Sequence, residues 1–375
     1  YIDELLEKST PEAPMWNIEK LKQGLKSKWN YIDGCMIKAV LEMYAISKDE
    51  KYLKFADDFI DYRVAEDGTI DGYSIGEKNI DNVNAGKTLF ELYDLTGKEK
   101  YKKAADLVYS QIEIMPRCQN EARSFWHKDI YPNQVWLDGL YMGLPFYLEY
   151  ETRYNDRKNY SDIFGQFKFV IENMRNPVNG LYFHAMDTSR EAFWCDKVTG
   201  LSQHSWLRAI GWYTMALIDT LDQVDNKDHK YDAECKMLED AFKDLVDSML
   251  KYQDESGMWY QVVNYGGMDK NYLETSGSSI MAYALLKAVR LGYLSDDYAQ
   301  YAKKAIDGIC ERYLKTNEDG SLSLGGICLV AGLGGNGRRP GTYDYYMSEP
   351  IVEDDAKGVG PFLLAYTELL RYENK

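Results

Sequence analysis

The chain has 375 residues, with 44 Lys and Arg against 60 Asp and Glu, so its formal net charge is −16. This charge excludes nucleic acid and anionic membrane surfaces as natural partners, because both repel an acidic protein. Hydrophobic residues make up 45% of the chain, which allows a large core and excludes a disordered protein. The six cysteines show no CxxC pair or metal-ligand spacing. They are typical of a reduced, cytoplasmic protein.

Two stretches beginning at Leu41 and Phe90 align without a gap at an offset of 49 residues. Each contains the end of one helix, a short polar turn and the start of the next helix. The second helix of each stretch has apolar residues at helical spacing on one side only. The same one-sided pattern returns near 160–174, 231–250 and 298–313, with a weaker copy at 17–27.

Segments that are apolar nearly all round lie between these one-sided helices. They run over 33–45, 82–95, 137–150, 207–222, 277–291 and 357–371. A helix that is apolar on every side is buried on every side. Six buried helices alternating with six one-sided helices predict an all-α fold, an (α/α)6 barrel that forms one domain over 1–375. An open α-solenoid is the alternative, but the repeat drifts from about 50 to about 80 residues and carries long aromatic loops.

Short β-like runs at 67–70, 179–184, 256–261 and 319–322 precede inner helices. We therefore expect them at one mouth of the barrel, together with the N-termini of the inner helices. A ring of carboxylates and aromatic rings at such a mouth is typical of a carbohydrate-binding cleft. The residues at these helix starts are Tyr31, Asp33, Asp81, Asn84, Trp136, Asp138, Trp206, Arg208, Glu274, Ser276, Asp354 and Asp355.

Asp138 is the most informative of these residues, because it follows Trp136 at the start of an apolar helical run. Carboxylates are rare in apolar surroundings, so a functional role is favoured over a helix cap. Trp136 offers a flat face on which a sugar ring could stack. Asp81 opens the preceding inner helix, so we expect the two carboxyl groups to form a catalytic pair. The negative charge of one carboxyl group and the apolar wall should raise the pKa of the other, whereas the helix N-terminus should lower it.

Two further candidates are a histidine and an arginine–tryptophan pair. His184 lies in a loop beside Tyr182 and Phe183, where it could contact a sugar or serve the structure. Arg208 and Trp212 are four residues apart on one inner helix, so the guanidinium could lie over the indole. Such a stack is either structural or a platform with a donor for a substrate carboxylate or hydroxyl.

Several segments resemble glycoside hydrolase family 105, the unsaturated rhamnogalacturonyl hydrolases, and the resemblance covers nearly the whole chain. Its most specific parts are Trp-Leu-Asp-Gly at 136–139 and Met-Ser-Glu-Pro at 347–350. Further segments are 124–128, 208–213 and 357–362. The sequence departs from the family pattern at Ser205 and Leu207, where Phe and Gly are expected, and this puts the contacts to the leaving sugar in question.

The resemblance implies an (α/α)6 barrel without metal or cofactor. It also implies hydration chemistry: an Asp protonates C4 of an unsaturated uronic acid, water adds at C5, and the resulting hemiketal opens and expels the sugar. Asp138 matches the catalytic acid/base and Asp81 the assisting acid. The predicted substrate-binding residues are Tyr31, Lys128, Trp136, His184, Trp206, Arg208 and Trp212.

The predicted function is removal of an unsaturated galacturonyl residue from rhamnose in pectin-derived disaccharides, by a monomer or weak oligomer with no nucleic-acid or membrane partner. One alternative is an unsaturated glucuronyl hydrolase acting on other lyase products. Another is an ordinary inverting glycosidase that uses Asp81 and Asp138. The non-enzymatic alternative is a helical-repeat binding scaffold.

Overall fold

A computed structural model describes residues 1–374, which form fourteen α-helices and six short strands. Helix bounds agree closely with the predicted segments, except at 17–27 and 82–95. The helices are α1 Ile2–Glu7, α2 Ile18–Gln23, α3 Tyr31–Ser47, α4 Glu50–Asp61, α5 Lys87–Thr96, α6 Glu99–Ile114, α7 Leu137–Tyr154, α8 Tyr160–Asn173, α9 Leu207–Gln223, α10 Asp232–Leu250, α11 Thr275–Leu291, α12 Ala299–Tyr313, α13 Tyr343–Ser348 and α14 Ala356–Glu373.

The inner ring consists of α3, α5, α7, α9, α11 and α14. Each contacts the next, and α14 packs against α3, so the ring is closed. Helices α4, α6, α8, α10 and α12 pack on the outside of their inner neighbours. The predicted (α/α)6 barrel is therefore confirmed, and ring closure excludes the open solenoid. Within residues 1–374, no helix is both long and apolar enough to cross a membrane.

The sixth outer position differs from the prediction of a helix over 17–27. Helix α2 has only six residues, buries none of them, and ends at Gly24 with a φ of 64°. The fully buried Trp16 covers this part of the core instead. It packs against Phe59 at 5.4 Å between ring centroids, and its carbonyl accepts a hydrogen bond from the N–H of Ala356. A loop anchored by one indole thus completes the outer ring.

The second inner helix also differs from the continuous helix predicted over 82–95. Residues Ile80–Gly86 form a 3₁₀ helix, and α5 begins only at Lys87. Asn82, Asn84 and Gly86 are poor α-helix formers, which explains the tighter segment. The Asn79 side chain caps it by accepting a hydrogen bond from the N–H of Asp81.

The strands form three antiparallel pairs. β1 (Gln134–Trp136) pairs with β2 (Ala185–Asp187), and Trp136 lies opposite Ala185. The N–H of Leu137 donates to the carbonyl of His184, so this pairing brings the start of α7 next to His184. The remaining pairs are β3 (Leu314–Thr316) with β4 (Leu322–Leu324), and β5 (Ile327–Cys328) with β6 (Ile351–Val352).

Candidate active site

A cavity of about 250 Å³ lies at the end of the barrel where the inner helices begin, and we call it the mouth cavity. Eight of the nine residues predicted for the site line it, and His184 is the exception. The lining residues are Glu19, Tyr31, Asp81, His127, Lys128, Tyr131, Trp136, Asp138, Met142, Trp206, Arg208, Trp212, Val330, Ala331 and Arg339.

Asp138 lies in the first turn of α7 with its side chain 14% exposed. Trp136 occupies the N-cap position, and no side chain caps this helix, so the alternative of a capping role for Asp138 is wrong. The Asp138 Oδ2 atom is buried and accepts no hydrogen bond within residues 1–374. Its nearest basic neighbour is His184, whose Nε2 lies 3.4 Å away. A buried carboxyl oxygen without a donor is rare in folded proteins, which marks Asp138 as a candidate functional residue.

His184 is fully buried behind Asp138 and does not line the mouth cavity. Its Nδ1 and the Tyr346 hydroxyl are 2.7 Å apart, with donor and acceptor set by the His184 tautomer. Burial lowers the pKa of His184, and this effect outweighs the attraction of Asp138. The imidazole is therefore neutral at neutral pH. It lies against Asp138 from the buried side, whereas the predicted sugar contact would require an exposed ring.

Asp81 is held by two bases, with Lys128 Nζ 2.7 Å from Oδ2 and His127 Nε2 3.3 Å from Oδ1. Burial alone would raise the pKa of Asp81, but Lys128 and His127 hold it well below the usual range. Asp81 is thus ionised at neutral pH, and the expected rise in pKa does not occur at this residue. Asp81 and Asp138 share one cavity but have opposite surroundings, one paired with a cation and one not.

Trp136 is only 5% exposed, so little of its indole is free to stack on a sugar. Its ring lies parallel to His127 at 4.5 Å and to Tyr131 at 5.0 Å, and edge-on to His184 at 5.3 Å. The indole therefore orients the imidazoles that contact Asp81 and Asp138. This is a different role from the predicted platform.

Arg208 stacks over Trp206 at 4.8 Å, not over Trp212, so the predicted Arg208–Trp212 stack is wrong. Its guanidinium turns towards β5, where it donates to the carbonyls of Cys328 and Leu329 at 2.5 and 3.4 Å. Trp212 instead stacks on Tyr141 at 5.0 Å. Arg208 is fully buried and has no carboxylate partner within residues 1–374.

The sequence analysis missed Arg339, which a glycine-rich loop brings into the mouth cavity. Its Nη2 donates to the Tyr131 hydroxyl at 2.8 Å, and its Nε donates to the Gly334 carbonyl at 3.2 Å. A Cβ on Gly332 would lie 2.4 Å from Arg339 Nη1, so the glycine makes room for the guanidinium. Arg338 and Arg339 directly follow the glycine-rich segment 332–337, and this pattern could have identified the residue.

Three of the acidic residues expected around the mouth serve the structure instead. Glu274 caps α11 by accepting a hydrogen bond from the N–H of Gly277. Asp355 caps α14, and Asp33 accepts from the Trp16 indole at 2.8 Å. Helix N-termini attract carboxylates for capping, so position alone did not separate caps from site residues. Across the described part of the chain, no group of three His, Cys, Asp or Glu side chains could hold a metal ion.

A closed double ring of helices with carboxylates and indoles at one mouth defines the chain as a carbohydrate-active enzyme of the (α/α)6 class. Residues 6–373 match the sequence profile of Glycosyl Hydrolase Family 88. A solved glycoside hydrolase of family 105 from C. acetobutylicum is 43% identical, with a TM-score of 0.88, and the match covers 96% of this chain and 99% of that one. The chain therefore belongs to Glycosyl Hydrolase Family 88, is a glycoside hydrolase, and its resemblance to family 105 is confirmed.

Two curated relatives are also similar. The protein Atu3128 of Agrobacterium fabrum is 40% identical over 235 residues, which is 61% of this chain and 98% of that protein. The unsaturated rhamnogalacturonyl hydrolase YesR of Bacillus subtilis is 26% identical over 302 residues, or 79% of this chain and 78% of that protein.

Proposed function

We propose that this enzyme removes an unsaturated uronic acid from the non-reducing end of a lyase-generated oligosaccharide, with Asp138 as the acid/base. The observation that carries the proposal is the contrast between the two carboxyl groups of the mouth cavity. Asp81 is paired with Lys128 at 2.7 Å, whereas Asp138 Oδ2 has no donor and faces a neutral histidine. Only the second environment leaves a carboxyl group free to carry and release a proton.

In the proposed reaction the Asp138 carboxyl group donates its proton to C4 of the C4=C5 double bond. A water molecule attacks C5 and returns a proton to the Asp138 carboxylate. The resulting hemiketal at C5 opens by breaking the bond from C5 to the ring oxygen, which gives a C5 ketone and a hemiacetal at C1. Collapse of this hemiacetal to an aldehyde breaks the glycosidic bond and releases the leaving sugar with a proton on its oxygen. His184 holds Asp138 in place from the buried side, and Asp81 acts as a fixed anion that orients Lys128 and His127.

The substrate carboxylate requires a cationic partner in the mouth cavity. Lys128 is already paired with Asp81, but Arg208 and Arg339 have no carboxylate partner within residues 1–374. Guanidinium groups bind carboxylates in a fixed two-pronged geometry. We therefore assign uronate recognition to Arg208 and Arg339, while Tyr31, Trp206 and Trp212 line the remaining wall.

Within this class we propose an unsaturated galacturonyl residue linked to rhamnose as the preferred substrate. The resemblance to YesR, whose name states this activity, supports the choice. The alternative is an unsaturated glucuronyl substrate from another lyase product, and a panel of both disaccharides distinguishes them. The cytoplasmic location and the monomeric or weakly oligomeric state remain predictions.

The test measures the loss of ultraviolet absorbance from the conjugated double bond. Asp138→Asn should lower kcat by about 10³-fold or more while substrate binding persists. Asp129→Asn is the matched control, because Asp129 is an exposed residue that contacts only Lys78 at 3.6 Å among described basic groups. In D2O the product should gain one deuterium at C4. An ordinary inverting glycosidase would also cleave the saturated analogue of the disaccharide, whereas the hydration mechanism requires the double bond. Cleavage of the saturated disaccharide at a comparable rate would sink the proposal.

A further inference from the structure

A small cavity lies behind one wall of the mouth cavity, and we call it the inner cavity. The space that it offers to the centre of a water molecule is about 10 Å³, which suits one water and no larger ligand. His127 and Trp136 line both cavities, and their stacked rings form the wall between them. The lining residues are Ile80, Ser124, Phe125, Trp126, His127, Val135, Trp136, Gly139, Leu140 and Gln166.

Three polar atoms of this lining are buried and have no hydrogen-bond partner within residues 1–374. They are Nδ1 of His127, Nε1 of Trp126 and Nε2 of Gln166. His127 and Gln166 are only 4% and 3% exposed, so bulk solvent does not supply the missing partners. Buried polar groups are nearly always bonded to protein or to an ordered water. Three such atoms around a space of this size therefore indicate a bound water molecule.

The contacts around these atoms fix the directions in which they face. Gln166 Oε1 accepts a hydrogen bond from the N–H of Phe125 at 3.1 Å, which leaves Nε2 as the free end of the amide. A Cβ on Gly139 would lie 3.1 Å from His127 Nδ1, so the glycine leaves space beside that nitrogen. The other ring nitrogen, Nε2, lies 3.3 Å from Asp81 Oδ1. The imidazole thus faces the inner cavity with one nitrogen and Asp81 with the other.

The number of donors decides the protonation state of His127. The indole nitrogen of Trp126 and the amide nitrogen of Gln166 can only donate, and together they occupy both lone pairs of one water oxygen. The water must then donate its own hydrogen to His127 Nδ1, which cannot carry a proton itself. We propose that Trp126 and Gln166 act through one bound water as positioning residues, and that they hold His127 neutral with its proton on Nε2, directed at Asp81.

A neutral His127 also fits the charges in this part of the site. Lys128 Nζ already neutralises Asp81 at 2.7 Å, so a charged imidazole would add a buried positive charge without its own counter-charge. The catalytic meaning rests on the proposed function: a neutral ring can fix Asp81 but cannot protonate the substrate, which leaves that step to Asp138. The titratable groups close to His127 in the site are Asp81, Lys128, Tyr131, Asp138 and His184.

A high-resolution crystal structure of the full chain tests the water site directly. We expect one ordered water within hydrogen-bond distance of His127 Nδ1, Trp126 Nε1 and Gln166 Nε2. A cavity without ordered water, or a water that contacts fewer than two of these atoms, would overturn the proposal. Nitrogen-15 NMR of the histidine-labelled protein at neutral pH tests the protonation state. The signal lost in His127→Gln should be that of a neutral ring protonated on Nε2, and an imidazolium or Nδ1–H signal would refute this assignment.

Trp126→Phe separates positioning from simple packing. It frees one lone pair of the water, so His127 Nδ1 can then donate, and the ratio of neutral to protonated His127 should fall about 5-fold or more, the effect of one buried hydrogen bond. Trp259→Phe is the matched control, because its indole N–H donates to the Met249 carbonyl at 2.8 Å and lines neither cavity. It should leave the His127 signal unchanged. An unchanged signal in Trp126→Phe would show that the indole does not act through the water.

These readouts do not use turnover. A water site that fails leaves the proposed hydrolase reaction standing, and a hydrolase reaction that fails leaves the water site standing. The two wild-type measurements also decide the site if Trp126→Phe does not fold.

Discussion

His184 Nε2 lies 3.4 Å from Asp138 Oδ2, and neither atom has a properly formed hydrogen bond within residues 1–374. The β1–β2 pairing sets this distance, because the N–H of Leu137 donates a hydrogen bond to the carbonyl of His184. A lysine in this position would hold Asp138 as a permanent carboxylate. The buried, neutral imidazole of His184 leaves Asp138 without a fixed cationic partner, as the proposed acid/base role requires.

Tyr346→Phe should weaken catalysis by freeing the His184 ring. The mutation removes the 2.7 Å hydrogen bond to His184 Nδ1 and little volume. We expect kcat to fall about 10-fold with KM nearly constant, since the loss of one buried hydrogen bond corresponds to about 1–1.5 kcal/mol. The kcat–pH profile should also shift, which a purely structural role would not cause. Tyr343→Phe, which loses only an exposed bond to the Asp269 carbonyl, should leave kcat unchanged.

Lys128→Met should destabilise the fold by about 1–3 kcal/mol near neutral pH, because it leaves the Asp81 carboxylate buried without its main partner. In the wild type, the pKa of Asp81 is lower in the folded state than in the unfolded state. Its contribution is therefore fully present above the unfolded pKa of about 3.9 and is lost as the pH falls through the folded pKa. In the variant, Asp81 loses this depression, so the acid side of the stability curve should become flatter.

Urea denaturation at several pH values measures this effect. Lys78→Met is the control, because Lys78 pairs with exposed Asp129 at 3.6 Å and is itself 37% exposed. It should change stability by less than about 0.5 kcal/mol at every pH. Equal curves for the two variants would show that the Lys128–Asp81 pair does not set the Asp81 pKa.

The barrel could be predicted because its signal repeats. A buried helix and a one-sided helix alternate along the chain, and each repeat reports the same periodicity. The sixth outer position was not predicted correctly, because the core is covered there by Trp16 from a loop and not by a long helix. The segment Ile80–Gly86 has the apolar pattern of a buried helix, so a continuous α-helix was predicted. Its asparagines and glycine favour a 3₁₀ helix instead.

The site was predictable where its residues lie in recognisable local motifs. Trp136 and Asp138 share one motif, and Lys128 was predicted because its segment, 124–128, resembles the family. Arg339 was not, because its contact with Tyr131 spans 208 residues of sequence. The predicted direction of the Arg208 side chain was wrong for a similar reason, since its hydrogen-bond acceptor Cys328 belongs to β5 and not to its own helix.

Arg208→Lys should raise KM about 10-fold or more on the unsaturated substrate. A lysine ammonium cannot reproduce the stack over Trp206 together with the bonds to the Cys328 and Leu329 carbonyls. Initial rates over a range of substrate concentrations measure this change. Arg290→Lys, at an ion pair with Glu368 away from the mouth cavity, is the matched control and should keep the wild-type KM. If both variants bind substrate equally well, Arg208 does not hold the uronate.

Two glycine-to-alanine variants should change stability in opposite directions. A Cβ on Gly34 of α3 would lie 2.6 Å from the Cα and 2.8 Å from the N of Ala85, both backbone atoms of the adjacent inner segment. Gly34→Ala should therefore force the ring apart and cost about 1–3 kcal/mol. Gly165 lies inside α8 with no heavy atom within 4 Å of its added Cβ, so Gly165→Ala should gain about 0.5–1 kcal/mol through helix propensity. The midpoints of urea unfolding distinguish these outcomes. A neutral Gly34→Ala would mean that the inner ring yields at this contact, so that close packing of α3 on the 3₁₀ segment does not fix the position of Asp81.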